Sequence, residues 1–173
     1  MKRIYIIILF TEAHHSTITE LADTIIPATG SPGAKAAGVG PFIAMMIAEC
    51  YPEKIQKIFV DGLDDLDKRS ESKFSNSFAT INAEQRTSVL QELVEELKKK
   101  KAEDAEKAKA NGTKKDPGAP KKDPSFFQLA KELTVLGYFT SEIGAKQALE
   151  YSAVPGKYES CIDMKPGQKA WAL

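Results

Sequence analysis

Apolar residues recur at helical spacing along most of the chain. Ile18, Leu21, Ala22, Ile25 and Ile26 fall on one stripe, which predicts a helix brought to an end by Pro27. Phe42, Ile43, Met46 and Ile47 repeat the pattern, with Pro41 suited to a first helical turn. A third helix is expected from about Pro52, with Ile55, Ile58, Phe59, Leu63 and Leu66 inward. Its charged residues Asp64, Asp65, Asp67, Lys68 and Arg69 mostly face water. Asn82 and Gln85 have the spacing of a capping box, opening a fourth stripe through Val89, Leu90, Leu93, Val94 and Leu97. Only the first ten residues have any strand-like character, so the pattern predicts an all-α fold.

From 98 to 123 the pattern stops. This segment reads KKKKAEDAEKAKANGTKKDPGAPKKD, and alanine is its only apolar residue, so burial cannot offset its ordering entropy. Its first half can continue the fourth helix into solvent, and its second half, with Gly112, Pro117, Gly118 and Pro120, is expected to be a loose linker. After it, residues 124–173 hold half of the chain's aromatic residues. A helix is expected from about 125 to 138, burying Phe127, Ala130, Leu133 and Val135 or Leu136, with Gly137 loosening its end. A shorter helix follows over about 141–150. The remainder has two Pro-Gly turns, Pro155-Gly156 and Pro166-Gly167, and reads as an extended tail that must lie on its own helices or on a partner.

The expected architecture is thus a small multi-helix domain over 17–173, with a solvated charged insertion at 98–123 and an extended C-terminal tail. Residues 1–16 are set apart as an N-terminal apolar segment. There Lys2 and Arg3 precede Ile4-Tyr5-Ile6-Ile7-Ile8-Leu9-Phe10, which has the order of an export signal: a positive end, then a short apolar run. It reads as a signal remnant or as a first element packed on the core, the remnant being preferred. No apolar run approaches the roughly 18 residues that span a bilayer.

Charge narrows the function classes. The 24 Lys and Arg balance 24 Asp and Glu, so the overall charge points neither to nucleic acid nor to an acidic tail. Locally, 98–123 carries ten lysines against five acids, which leaves the rest of the chain mildly acidic. Cys50 and Cys161 are too few for a zinc site or a disulfide framework. In an oxidising compartment they can form one bridge; in a reducing one they are two small apolar side chains.

The chemical motifs fail one by one. Gly33 and Gly38 have the spacing of a phosphate-binding loop, but Val39 and Gly40 follow where Lys and Ser or Thr are required. Gly38-Val39-Gly40 begins a dinucleotide fingerprint, but Ile43 replaces its last glycine and a helix precedes it. His14 and His15 are adjacent, so they point about 100° apart on a helix and make no two-histidine metal face. They are expected at a solvated helix start. Asp61, Asp64, Asp65 and Asp67 lack the glycine placement of a calcium loop and read as a solvated face. Cys161 has no histidine in its own segment. The chain carries no identifiable catalytic apparatus.

Three blocks in order, LADTIIPATGSPGAKAAGV, FFQLAKELTVLGYFTSEIGAKQAL and VPGKYESCIDMKPGQKAWA, resemble the gluconate 2-dehydrogenase subunit 3 family. The similarity runs from about residue 17 to the C-terminus, interrupted by the lysine-rich insertion. It implies a small, helical, non-catalytic subunit that binds no cofactor itself. The partner it implies is an FAD-dependent catalytic subunit of the GMC type, often with a cytochrome c subunit carrying haem. A periplasmic location follows, membrane-associated through partners, with this chain helping to export the folded flavoprotein. The usual twin-arginine motif is absent here. In the periplasm Cys50 and Cys161 can bridge, or Cys161 can pair with the catalytic subunit. Aromatic side chains are enriched at interface cores, which makes Tyr138, Tyr151, Tyr158 and Trp171 candidates for partner contact, while Phe127 and Phe139 are expected in the core. Two other readings remain: a thiol enzyme or redox protein using Cys161, and a membrane-surface adaptor acting through the lysine run.

Overall fold

The computed structural model describes residues 9–110, 123–154, 156–157, 161, 163 and 165–172, with the backbone alone for 100–101 and 103–110. Five α-helices are present among them: α1 (Glu12–Ile25), α2 (Val39–Cys50), α3 (Glu53–Phe74), α4 (Ala83–Ala110) and α5 (Phe126–Thr140). A single π turn, Gly144–Ala148, follows α5. No strand occurs among the described residues, and the all-α expectation holds.

α1, α4 and α5 start at Thr11, Asn82 and Ser125, whose side chains accept from otherwise orphan amides. Thr11 caps α1, its hydroxyl accepting from the His14 amide at 3.2 Å while the Thr11 amide donates to His14 Nδ1 at 3.4 Å. This is a capping box with histidine in the place usually taken by Glu or Gln. The helix therefore begins at Glu12. Leu9 and Phe10 also pack on the core, Phe10 being buried, whereas 1–8 lie outside the described residues. The box expected at Asn82 and Gln85 is present, with reciprocal bonds of 2.9 and 3.1 Å. At the end of α2 the buried Gln56 side chain, reaching back from α3, donates to the carbonyls of Ala48 and Tyr51 at 3.0 and 2.9 Å.

The core lies between α1, α2, α3 and α5. Ile18 and Leu21, Ile43 and Ile47, Phe59, Leu63 and Leu66, and Leu129 and Leu133 are all essentially inaccessible. α5 packs against α1, α2 and α3 together, and α4 lies against α1 and α3. Phe10, Phe59 and Phe126 form an aromatic row, with ring centroids 6.1 and 5.2 Å apart in succession. The row is closed by Gly62 of α3: an added Cβ there would stand 2.2 Å from Phe126 Cγ. α3 and α5 thus approach at a distance that only glycine allows.

The loop 26–38 turns on its own hydrogen bonds. The Ala34 amide donates to the Ile26 carbonyl at 2.9 Å and the Val39 amide to the Ala34 carbonyl at 3.1 Å. Gly38, with φ of 69°, supplies the left-handed residue that starts α2. The Lys35 ammonium is 2.5 Å from Glu20, and the Lys35 amide donates to Asp23. Glu20 also accepts from Arg86 of α4, whose guanidinium reaches the carbonyls of Phe78 and Ala79. The glycine-rich loop is a braced connection between α1 and α2.

α4 carries the expected stripe and then continues through the first half of the lysine-rich segment to Ala110, while 111–122 lie outside the described residues. Where the chain re-enters at Asp123, its carboxylate meets Lys54 at 2.5 Å, near the start of α3. Beyond the π turn the chain is extended. Glu150 and Trp171 form an isolated parallel bridge, with bonds of 2.8 Å from the Glu150 amide to Ala170 and from the Ala172 amide to Glu150. The Pro166-Gly167 turn is present, Gly167 having φ of 78°. Pro155 of the other turn lies outside the described residues.

Candidate partner-binding surface

The face that α5 turns inward differs from the expected one. Phe126, Leu129, Ala130, Leu133, Thr134, Gly137 and Tyr138 are buried, whereas Val135 and Leu136 are 39% and 47% exposed. Phe139, expected in the core, is 42% exposed, and Phe127 is half-buried. The physical reason is that α5 is apolar on both sides, so periodicity alone cannot choose between them. Gly137 and Thr134 decide the matter. An added Cβ at Gly137 would meet the Phe42 ring of α2 at 2.5 Å, and Thr134 donates to its own helix at the Ala130 carbonyl, 2.7 Å away. Thr134 and Gly137 thus face inward together with Phe126, Leu129, Leu133 and Tyr138, and Val135, Leu136 and Phe139 point out.

The outward face of α5 and the end of the α4 stripe enclose a groove of about 710 Å³. It is lined by the apolar Val94, Leu97, Phe127, Val135 and Leu136 and by the polar Lys98, Ser125, Gln128, Lys131 and Glu132. Glu132 accepts from Gln128 at 3.0 Å, while Lys98 and Lys131 make no ion pair with any described residue.

α4 is charged differently on its α3 side. There Glu96 accepts a two-pronged bond from Arg69 at 2.8 and 3.0 Å, and Glu92 accepts from Lys73. Arg69 also donates to Asp65 at 2.7 Å. Donation from Arg69 holds the Glu96 carboxyl below the usual carboxylate range, and the same bonds raise the Arg69 guanidinium. Glu92 and Glu96 of α4 are thus engaged with α3, on the side of the helix away from Lys98.

The aromatic candidates separate. Tyr138 is a core residue, not a contact site: it is 2% exposed, its hydroxyl donates to the Pro32 carbonyl at 2.7 Å and lies 3.2 Å from Ser31 Oγ. It pins the 26–38 loop onto α5. Tyr151 and Trp171 are 47% and 52% exposed on the tail, beside the Glu150 bridge. Tyr158 lies outside the described residues.

Among the remaining sites, the structure does not bring Cys50 and Cys161 together; both are exposed free thiols. His14 and His15 are half-buried rather than solvated. His14 Nε2 is 3.0 Å from Asp64 Oδ1, and both imidazoles stand edge-on to Phe10. The acidic cluster of α3 is likewise not merely solvated. Asp67 accepts from the Thr17 hydroxyl at 3.2 Å and from the Phe78 amide at 2.9 Å, joining α3 to α1 and to the 75–82 turn. Among the described residues no group of three or more His, Cys, Asp or Glu side chains is arranged to hold a metal ion. No helix among them is long and apolar enough to cross a membrane.

No curated protein and no solved structure matches this chain. The family described as gluconate 2-dehydrogenase subunit 3 matches residues 12–156, a span that starts with α1 and takes in all five helices. An all-α body with an apolar groove at one side, matched over most of its length by that family, belongs to the gluconate 2-dehydrogenase subunit 3 family.

Proposed function

We propose that the chain is a non-catalytic accessory subunit that binds and stabilises an FAD-dependent sugar or sugar-acid dehydrogenase and assists its export to the periplasm. One observation carries the reading. In a chain of a dehydrogenase-subunit family, the helix that organises the core turns Val135, Leu136 and Phe139 outward, 39%, 47% and 42% exposed. Large apolar side chains left exposed on the helix that organises the core, set among its exposed Gln128, Lys131 and Glu132, support a protein contact on this face.

In this reading the chain holds no cofactor. FAD sits in a GMC-type catalytic subunit, which oxidises the alcohol, and haem c sits in a cytochrome subunit where one is present. Tyr151 and Trp171 supply a second, smaller aromatic contact from the tail.

Co-expression with a GMC-type flavoprotein from the same genome tests the proposal. The expected result is a complex that co-purifies with bound flavin, together with flavoprotein activity in the periplasmic fraction that requires this chain. A folded, exported flavoprotein that neither binds the chain nor depends on it would refute the reading.

A further inference from the structure

We infer that His14 is a proton-controlled latch: the neutral ring closes the start of α1, and protonation opens that closure while the ring stays fastened to α3. Hydrogen-bond chemistry decides the tautomer. The Thr11 amide can only donate, so His14 Nδ1, 3.4 Å away, carries a lone pair and not a proton. Asp64 Oδ1 accepts, so the hydrogen of the neutral ring sits on Nε2, 3.0 Å from it. Both nitrogens are thereby used, one for the helix start and one for the neighbouring helix. Glutamine, usual at this place in a capping box, would serve the first role at any pH. Histidine serves it only while neutral.

Protonation fills Nδ1. Two N–H groups then face each other across the Thr11 contact, and that bond is lost. The new charge also stands in the first turn of α1, at the positive end of its dipole. The Asp64 contact responds in the opposite sense, because an imidazolium donates to a carboxylate more strongly than a neutral ring does. With the His14 side chain only 13% exposed, the ring has little room to turn and restore the cap. Opening therefore falls on the chain before α1. Thr11 keeps the bonds its hydroxyl and carbonyl accept from the His14 and His15 amides, at 3.2 and 3.0 Å. Leu9 and Phe10, packed on the core just upstream, lose the entry angle that the Thr11 amide fixes.

The other titratable groups near the ring are Glu12 and His15 on α1, and Asp61, Asp67 and Lys68 about one turn either side of Asp64 on α3. Asp67 is held by Thr17 and the Phe78 amide, and Arg86 of α4 by Glu20 and two carbonyls. Among the described residues Asp64 is the one charged group bonded to the ring.

Nuclear magnetic resonance of the isotope-labelled full chain tests the latch. With the ring fully deprotonated, long-range nitrogen–proton correlation should show a bare Nδ1 and a protonated Nε2 at His14. As the ring is titrated, protection of the Thr11 amide against exchange, corrected for its intrinsic pH dependence, should fall by about threefold to tenfold in step with the His14 ring shifts. Amides from Ile18 onward should not follow. His14→Gln keeps an acceptor for Thr11 and does not titrate, so the fall should vanish there, whereas His15→Gln should retain it. A hydrogen on Nδ1 in the neutral ring, a Thr11 amide whose protection ignores the His14 titration, or a fall that persists in His14→Gln would each overturn the inference. The tautomer and the titration are read on the wild-type chain, so a variant that folds poorly does not remove the test.

Discussion

Gly62→Ala sets two effects of opposite sign against each other. In an isolated helix the change favours folding by about 1 kcal/mol, because alanine has the higher helix propensity. In this fold the new methyl carbon would stand 2.2 Å from Phe126 Cγ and 2.5 Å from Phe126 Cβ and Cδ2. Carbon atoms in contact prefer about 3.5–4.0 Å, so more than an ångström must be found. Rotating the Phe126 ring moves Cδ2 but not Cβ, which is fixed to the backbone of α5, so α3 and α5 must separate. Separation loosens the Phe59–Phe126 contact, whose ring centroids are 5.2 Å apart. Overpacking of this kind typically costs about 1–3 kcal/mol, and with backbone-proximal atoms on both sides the upper half of that range applies. The expected net result is a loss of about 1–2 kcal/mol. For a chain of this size that lowers the melting temperature by roughly 2–8 °C. Urea titration followed by far-UV circular dichroism measures it. Phe126→Ala in both backgrounds separates the terms: removing the ring should cost less in the Gly62→Ala protein, with a coupling of about 1 kcal/mol or more. A variant as stable as wild type, with no coupling, would refute the close approach of α3 and α5.

Tyr138→Phe should destabilise the chain by about 1 kcal/mol through loss of its hydroxyl bond to the Pro32 carbonyl, while leaving flavoprotein binding intact; impaired binding at unchanged stability would return Tyr138 to the interface. Native-state alkylation followed by mass analysis should label both Cys50 and Cys161, and a mass short of both thiol hydrogens in the mature chain would contradict two separate thiols. Glu96 is held below the usual carboxylate range by Arg69, so the pair favours folding above the unfolded-state value of about 4.3 and that contribution is lost as pH falls through the lower folded value. Glu96→Gln should therefore reduce the acid-side slope of stability, modestly and less so in high salt because the group is on the surface; an unaltered slope would remove the pair from the account.

Sequence patterning was most informative where one side of a helix is apolar and the other is not. Ile18, Leu21 and Ala22 on α1, and Phe59, Leu63 and Leu66 on α3, are buried as their spacing predicts. The Asn82–Gln85 box formed because both partners lie within one helical turn. Expectation failed at α5, whose stripes Phe127–Ala130–Leu133 and Phe126–Leu129–Leu133 share residues and differ by a fraction of a turn. Close contacts with other helices, Gly137 with Phe42 and Phe126 with Gly62, select between them. The roles of His14 and Asp67 were hidden for a different reason. Their partners Asp64 and Thr17 are fifty positions away, and a long-range polar pair leaves no periodic trace. The groove was illegible on both counts: it needs the correct register of α5 and the placement of α4 beside it.

The charged insertion and the groove belong to the same stretch of fold, which bears on how such a segment is tolerated. α4 leaves the body through Leu97 and Lys98 and runs on to Ala110, and the chain returns at Asp123, tied to Lys54, one turn before Phe127. The insertion therefore joins the two helices that form the groove, and enters and leaves beside its rim. Loop-closure entropy rises only slowly with length, so a long connection here costs the body little once its ends are anchored. An apolar trough is harder to tolerate, since exposed apolar surface promotes unwanted association.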